Sequence, residues 1–196
     1  LCTICLAVTR RNAVVLSGFD HGYMMLRQGV RLDAFNTMPM RRAVHAVFEC
    51  CSSVPLAADL VRARPFDSHD KLFRCADSLL FGLSEESVDS ILQAYPNVGR
   101  RPGSEKSQAE QCAVIDARPE TMNELARTSQ TYLQHFGFGF VMFINGHCVD
   151  DVLAAMNDRL HNDYETERKV VRNELARINR TRLERMLGPE GGYDNW

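Results

Sequence analysis

The feature that most limits what this chain can become is its last long periodic segment. From about residue 163 to 187 the apolar residues Val171, Leu175, Ile178 and Met186 recur at helical spacing, and Gly188-Pro189 closes the run. The sequence ahead of it carries more segments of the same period, separated by Pro and Gly. A proline start leads into residues 39–51, with Val44, Val47 and Phe48 on one face. Residues 55–63 read as a shorter helix that stops before Arg64-Pro65, and residues 68–80 as another, carrying Leu72, Phe73, Ala76 and Leu79. Ser84 is a good N-cap, with Glu85 and Glu86 in the first turn where the helix dipole favours carboxylates; that helix runs to Tyr95 and is stopped by Pro96. Residues 108–117 and 119–135 predict two further helices, and Asp150 or Asp151 caps one that reaches about Leu160.

One stretch breaks the pattern. "FGFGFVMFI", residues 136–144, alternates large and small side chains with period 2, and Asn145-Gly146 turns the chain after it. The expected fold is therefore all-α, a single-domain multi-helix bundle with one extended internal segment at about 136–144. A length of 196 residues suits one domain. The expected organisation is an N-terminal extension over 1–30, disordered or not native, a helical domain over 31–188 and a C-terminal tail over 189–196.

Charge and cysteine usage exclude several classes of function. With 23 basic and 25 acidic residues the net charge is −2, so no global field favours nucleic acid. The arginine-rich last helix does not alter this, because Glu165, Glu167, Glu174 and Glu184 are interleaved there. Any anion must be met by particular arginines. Seven cysteines, an odd number, are scattered along the chain, which argues against a disulfide framework and for a reducing compartment. Cys2 and Cys5 form a lone CxxC with no second pair at zinc spacing. No apolar run approaches the roughly 18 residues of a membrane span. "LCTICLAV" has no basic segment before it and is not a convincing signal peptide. The expectation is a cytoplasmic protein with no membrane association.

Four positions could carry chemistry, and each has a plainer explanation. Ser107-x-x-Glu110 ahead of "CAVI" is a capping box, in which serine and glutamate satisfy each other's backbone N–H groups. A capped helix start is also rigid and offers donors to an anion, and Gln111 adds an amide that could bind a polar ligand. Tyr95 shares a stripe with Val88, Ile91 and Leu92, as a core aromatic residue would. Arg182 interrupts the apolar stripe of the last helix, where a guanidinium is costly unless it meets a carboxylate or an anion. Arginines 168, 172, 177, 180 and 185 fall off that line and read as a solvated face, while Arg159 sits near the apolar edge of its own helix. In "FGFGFVMFI" the glycines allow close backbone approach and extended backbone leaves N–H groups for a ligand; a core strand is the alternative. The six histidines do not cluster, and no GxGxxG, Walker loop or HExxH is present, so no cofactor and no metal is expected.

In this order the pieces resemble the 2-oxo-4-hydroxy-4-carboxy-5-ureidoimidazoline (OHCU) decarboxylase family of urate degradation. The resemblance runs over roughly residues 32–187, through "LDAFNTMP", "ARPF", "YPNVG", "SQAEQ", "FGFGFV", "RLHND" and "INRTRL". It implies an all-α, cofactor-independent lyase that forms (S)-allantoin from a small ureidoimidazoline, and a homodimer. Residue by residue it implies Glu110 as the catalytic-site carboxylate that holds the substrate hydroxyl. Arg182 would anchor an anionic or carbonyl oxygen. Ser107, Gln111 and Pro96 would be substrate contacts, and the backbone of Phe140, Val141, Met142, Phe143 and Ile144 would hold the ureido and ring groups. The departure is in "YPNVG": the family pattern is His-Pro with an acid/base histidine, and Tyr95 stands in its place. A phenol, with a pKa of about 10, can donate a proton but is a poor base near pH 7. Two expectations follow: a decarboxylase with Tyr95 as proton donor, or a non-catalytic relative that binds a ureide or a partner through the retained pocket.

Overall fold

Serine and aspartate caps, proline starts and apolar stripes set most of the helix boundaries in the computed structural model, which describes residues 29–95, 118–144 and 147–189. Helix α1 (Leu32–Thr37) is a single short turn-and-a-half that the periodicity does not announce. Helix α2 (Met40–Cys51) follows Pro39 and stops at Ser52, which takes a left-handed conformation with φ 53°. Helix α3 (Val54–Arg62) starts where the Ser53 hydroxyl accepts the Leu56 N–H at 3.4 Å. Ser68 does the same for Lys71 at 3.2 Å to begin α4 (His69–Phe81). Ser84 accepts from Ser87 at 3.3 Å to begin α5 (Glu85–Ala94), as expected of an N-cap. Helix α6 is Pro119–Phe136, α7 is Val149–Arg159 and α8 is Tyr164–Leu187, with the Asp163 carboxylate accepting the Thr166 N–H at 2.8 Å. These eight helices and no strand make up the regular structure among the described residues. The helix expected at 108–117 and the turn at Asn145-Gly146 lie outside them.

Neither Asp150 nor Asp151 is the cap of α7. That position is Cys148, and Asp151 reaches back from inside the first turn to accept the Cys148 N–H at 2.9 Å. An aspartate three residues into a helix does the reciprocal half of a capping box, so an acidic pair marks the first turn as well as the position before it.

Helix α8 is the central element. It packs on α2 and on α4, while α2 packs on α3, α3 on α4 and α6 on α7. The buried centre takes side chains from nearly every helix, among them Phe35, Leu60, Leu80, Ile91, Leu125, Tyr132, Met156 and Leu175. Burying a leucine of this kind contributes roughly 1.5–3 kcal/mol relative to leaving it exposed.

Being central, α8 is covered on more than one face, and this overturns one expectation. Arg168 and Arg172 are buried, not solvated. Arg168 donates to Glu85 at 2.5 Å and to Asp89 at 2.6 Å, and Arg172 donates to Glu85 at 2.6 Å and to the carbonyls of Leu80 and Leu83 at 3.1 and 3.0 Å. The start of α5 is thereby tied to α8. Arginines 177, 180 and 185 are exposed, as a solvated face requires.

The motifs "LDAFNTMP" and "ARPF" meet in space. Asn36 donates to the Phe66 carbonyl at 2.8 Å and accepts its N–H at 2.9 Å, and Arg64 donates to the carbonyls of Phe35 and Met38 at 2.5 and 2.8 Å. Ahead of α1, Val30 is buried and its N–H donates to the Met186 carbonyl at 2.5 Å. Gly29, at φ 77°, lies so close to Gly188 that a Cβ would fall 2.5 Å from the Gly188 Cα. Among the described residues no helix is long and apolar enough to cross a membrane.

Candidate active site

Tyr95 ends α5 because Pro96 follows it. Its backbone is extended, with φ −80° and ψ 135°, the conformation that a following proline imposes. Val88, Ile91 and Leu92 on the same stripe are buried and anchor the helix, so the ring projects from a fixed point. Two turns of α8 receive it. The Arg182 guanidinium carbon lies 5.0 Å from the centre of the Tyr95 ring. Arg182 Nη1 donates to the Tyr95 Oη at 3.2 Å and to the Cys50 carbonyl at 3.4 Å. The Tyr95 hydroxyl in turn donates to Asn179 Oδ1 at 3.3 Å.

The order of donors is fixed by chemistry. A guanidinium can only donate, so Tyr95 accepts from Arg182 and directs its own single proton elsewhere. Next to this group the thiol of Cys51 is pushed up to about 11, chiefly by burial and against the opposing effects of its backbone contact at Ser53 and, more weakly, of Arg182, and it stays protonated at neutral pH. It is a packing residue there.

The strip after α6, over 139–144, forms neither helix nor strand. Gly137 caps α6 in the left-handed conformation, φ 80°, and a Cβ there would meet nothing within 4 Å; the backbone angle, not close approach, calls for glycine. Phe138, Phe140, Val141 and Ile144 are buried, and Met142 and Phe143 are half-buried. The Val141 carbonyl accepts from Arg159 Nη1 at 2.8 Å, and the Phe143 N–H donates to Glu174 Oε2 at 2.6 Å. The expectation that extended backbone leaves its N–H groups for a ligand therefore does not hold at Phe143. Arg159, at the apolar edge of its helix, is paired with Glu167, which is fully buried.

Between Tyr95 and the beginning of the strip lies a cleft of about 490 Å³, lined by Leu92, Tyr95, Leu133, Phe136 and Phe138 with Asp89 and Gln93 at its polar side. That volume suits a small ligand. No group of three or more His, Cys, Asp or Glu side chains able to hold a metal ion occurs among the described residues.

Of the residues singled out in the sequence, Tyr95 and Arg182 are brought together across 87 positions of chain. The strip 140–144 is joined to α8 at Glu174, roughly two turns before Arg182. Pro96, Ser107, Glu110 and Gln111 lie outside the described residues. Asn179, Glu174 and Glu167 are functional side chains whose roles the motifs do not mark. Asn179 is recoverable from spacing, since it falls four residues after Leu175 and four before Leu183, both buried. Glu167, four residues before Val171, and Glu174, three after Val171 and four before Ile178, are recoverable in the same way, but spacing does not name the groups they bind.

These features define an all-α protein that gathers a phenol, a guanidinium and a buried amide at a helix end beside a cleft of small-molecule size. The OHCU decarboxylase family model matches residues 36–184. The 2-oxo-4-hydroxy-4-carboxy-5-ureidoimidazoline decarboxylase of Haloferax volcanii is 31% identical over 151 residues, covering 75% of this chain and 90% of that protein. The decarboxylase of the same name from Halalkalicoccus jeotgali is 28% identical over 165 residues, 82% of this chain and 94% of that one. A crystal structure of OHCU decarboxylase in the presence of (S)-allantoin shares the fold with a TM-score of 0.64, at 21% identity, over 71% of this chain and 95% of that one. The chain belongs to the OHCU decarboxylase family, and OHCU decarboxylation in urate degradation is the activity that this membership carries.

Proposed function

We propose that this protein converts OHCU to (S)-allantoin without a cofactor, with Tyr95 as the proton donor. The bond to the departing carboxylate lies next to a C=N bond, which can accept the released electrons. The protein has to orient the carboxylate, stabilise the developing charge and deliver a proton to one face. The observation that carries the reading is the Arg182–Tyr95 contact, 3.2 Å from Nη1 to Oη. A guanidinium on the phenol oxygen stabilises the negative charge left when the proton departs, which suits a donor and not a base. In this reading Arg182 also anchors a substrate oxygen and Glu110 holds the substrate hydroxyl. Ser107, Gln111 and Pro96 contact the substrate, and the backbone of Phe140–Ile144 takes the ureido group.

The same reading assigns residues 31–188 to one catalytic domain, in keeping with the family match over 36–184. It places the protein in the cytoplasm, as seven dispersed cysteines suggest, and takes it as a homodimer by family resemblance. No observation favours the non-catalytic alternative. The test is stereospecific: fresh OHCU should give (S)-allantoin with wild-type protein above spontaneous decay, by chiral detection. Glu110→Gln, which still completes a capping box, should keep the melting temperature within about 2 °C and lose turnover by about 10²-fold or more. A folded and fully active Glu110→Gln protein would remove Glu110 from the chemistry.

A further inference from the structure

Two charged side chains grip the strip at neighbouring peptide bonds, and the function as stated uses neither. Arg159 is the first. Its Nε and Nη2 both donate to Glu167 Oε1, at 2.8 and 2.5 Å, and its third nitrogen, Nη1, donates to the Val141 carbonyl at 2.8 Å. Its guanidinium carbon sits 4.4 Å from the centre of the Phe140 ring. Glu167 is held in turn by Asn162 Nδ2, at 2.7 Å, and by the Tyr132 hydroxyl. A buried ion pair is a weak source of net stability, because desolvation offsets most of the attraction; what it does well is fix a geometry. The geometry fixed here is that of the Val141 carbonyl.

Glu174 is the second. Its side chain is 14% exposed, its Oε2 accepts the Phe143 N–H at 2.6 Å and its Oε1 accepts from Arg177 at 3.1 Å. A cation therefore holds the carbonyl of one residue and an anion the amide of the residue two further on. Trans peptide groups are planar, with C=O and N–H pointing in opposite directions. Pinning the Val141 carbonyl therefore turns the Met142 N–H to the other side. Pinning the Phe143 N–H does the same to the Met142 carbonyl. One residue then presents a donor and an acceptor together, the pattern that complements the acceptor and donor of a ureide.

We propose that Arg159 and Glu174 are positioning residues that clamp the peptide groups on either side of Met142 so that they bind the ureide of the substrate. This rests on the reading that the strip 140–144 contacts that group. Loosening either clamp should weaken ground-state and transition-state binding alike, which raises KM and leaves kcat in place. Arg159→Lys keeps the charge but lacks the planar fork needed to hold carboxylate and carbonyl at once. Glu174→Ala removes the acceptor, and Glu174→Gln retains one in its amide oxygen.

The expected result is a KM about 10-fold higher for Arg159→Lys and Glu174→Ala, with kcat within about threefold, and near wild-type KM for Glu174→Gln. Hydrogen exchange at the Phe143 amide reads the clamp without any turnover, and should quicken about 10-fold or more in Glu174→Ala but not in Glu174→Gln. Unchanged exchange in Glu174→Ala would overturn the clamp. Faster exchange with an unshifted KM would leave it a structural contact and overturn the positioning role. Should Glu174→Ala fail to fold, Arg159→Lys decides on its KM alone. Wild-type protein that neither turns over OHCU nor binds allantoin by calorimetry would sink the functional reading, and the clamp's role with it.

Discussion

Replacing Tyr95 by phenylalanine deletes one oxygen at the meeting point of α5 and α8, and the structure gives the size of each consequence. Asn179 is 4% exposed, so its Oδ1 loses a donor and has little access to water instead. Leaving a buried acceptor unpaired costs roughly 1–3 kcal/mol. Arg182 keeps the Cys50 carbonyl and adds little to that sum. For a domain of this size about 2–4 °C is lost per kcal/mol, so the melting temperature should fall by about 2–12 °C and the protein should remain folded at 25 °C. Turnover should fall far more, by about 10²–10⁴, because the phenol is the proton donor.

Tyr95→His tests the same logic from the other side. Histidine is the residue of the family pattern, but here the oxygen is held between Arg182 and Asn179, in a place that suits a hydroxyl. It should gain less than about tenfold. All three forms are to be assayed on freshly generated OHCU, with spontaneous decay subtracted. The reasoning is refuted if Tyr95→Phe stays within about threefold of wild type, or if Tyr95→His rises by about 10² or more. In the first case Tyr95 is packing; in the second it is an impaired histidine position.

Asn179→Leu keeps the buried volume but gives the Tyr95 proton no acceptor, and should lower kcat about 3- to 10-fold in wild type while adding no loss in a Tyr95→Phe background; additive losses would show that Asn179 acts through something else. A last expectation concerns acid. Arg172 holds the Glu85 carboxyl below its ordinary 4.5, with Arg168 adding to the effect and burial opposing it. A folded value below the unfolded one means that the pairing stabilises the fold above about pH 4.5 and is lost as pH falls through the folded value. Urea midpoints measured between pH 6 and 3 should therefore fall less steeply in Glu85→Gln than in wild type, and parallel curves would count against the pairing.

Much of the fold follows from short-range rules. Ser84 is a cap because its hydroxyl reaches an N–H three residues on, and this happens whatever surrounds the helix. Pro39, Pro119 and the Gly137 turn act through backbone angles that belong to the residue itself. The helix at Leu32–Thr37 was not legible, since six residues hold too few turns to show a period, and it is steadied from elsewhere by Arg64 on the Phe35 carbonyl and by Phe66 on Asn36. The site was half legible. Arg182 stood out because a charge on an apolar stripe is costly, whereas the partner of Glu174, the Phe143 N–H, comes from another segment that no spacing predicts.

Sequence by itself determined where helices start and stop, which face of most of them is apolar, that residues 136–144 leave the helical pattern, and which family the motifs resemble. Tertiary structure decided which charges are buried. Arg172 falls off the apolar line and Arg168 lies at its Met186 edge, and Glu85 and Asp89 arrive from about 80 residues away to pair with them, so that this side of α8 becomes interior. Tertiary structure also decided that Tyr95 meets Asn179 and Arg182, and that Arg159 and Glu174 close on one strip. The reason is that helix propensity and capping act within about one turn, whereas an ion pair or a hydrogen bond across the core depends on two segments whose meeting no local pattern encodes.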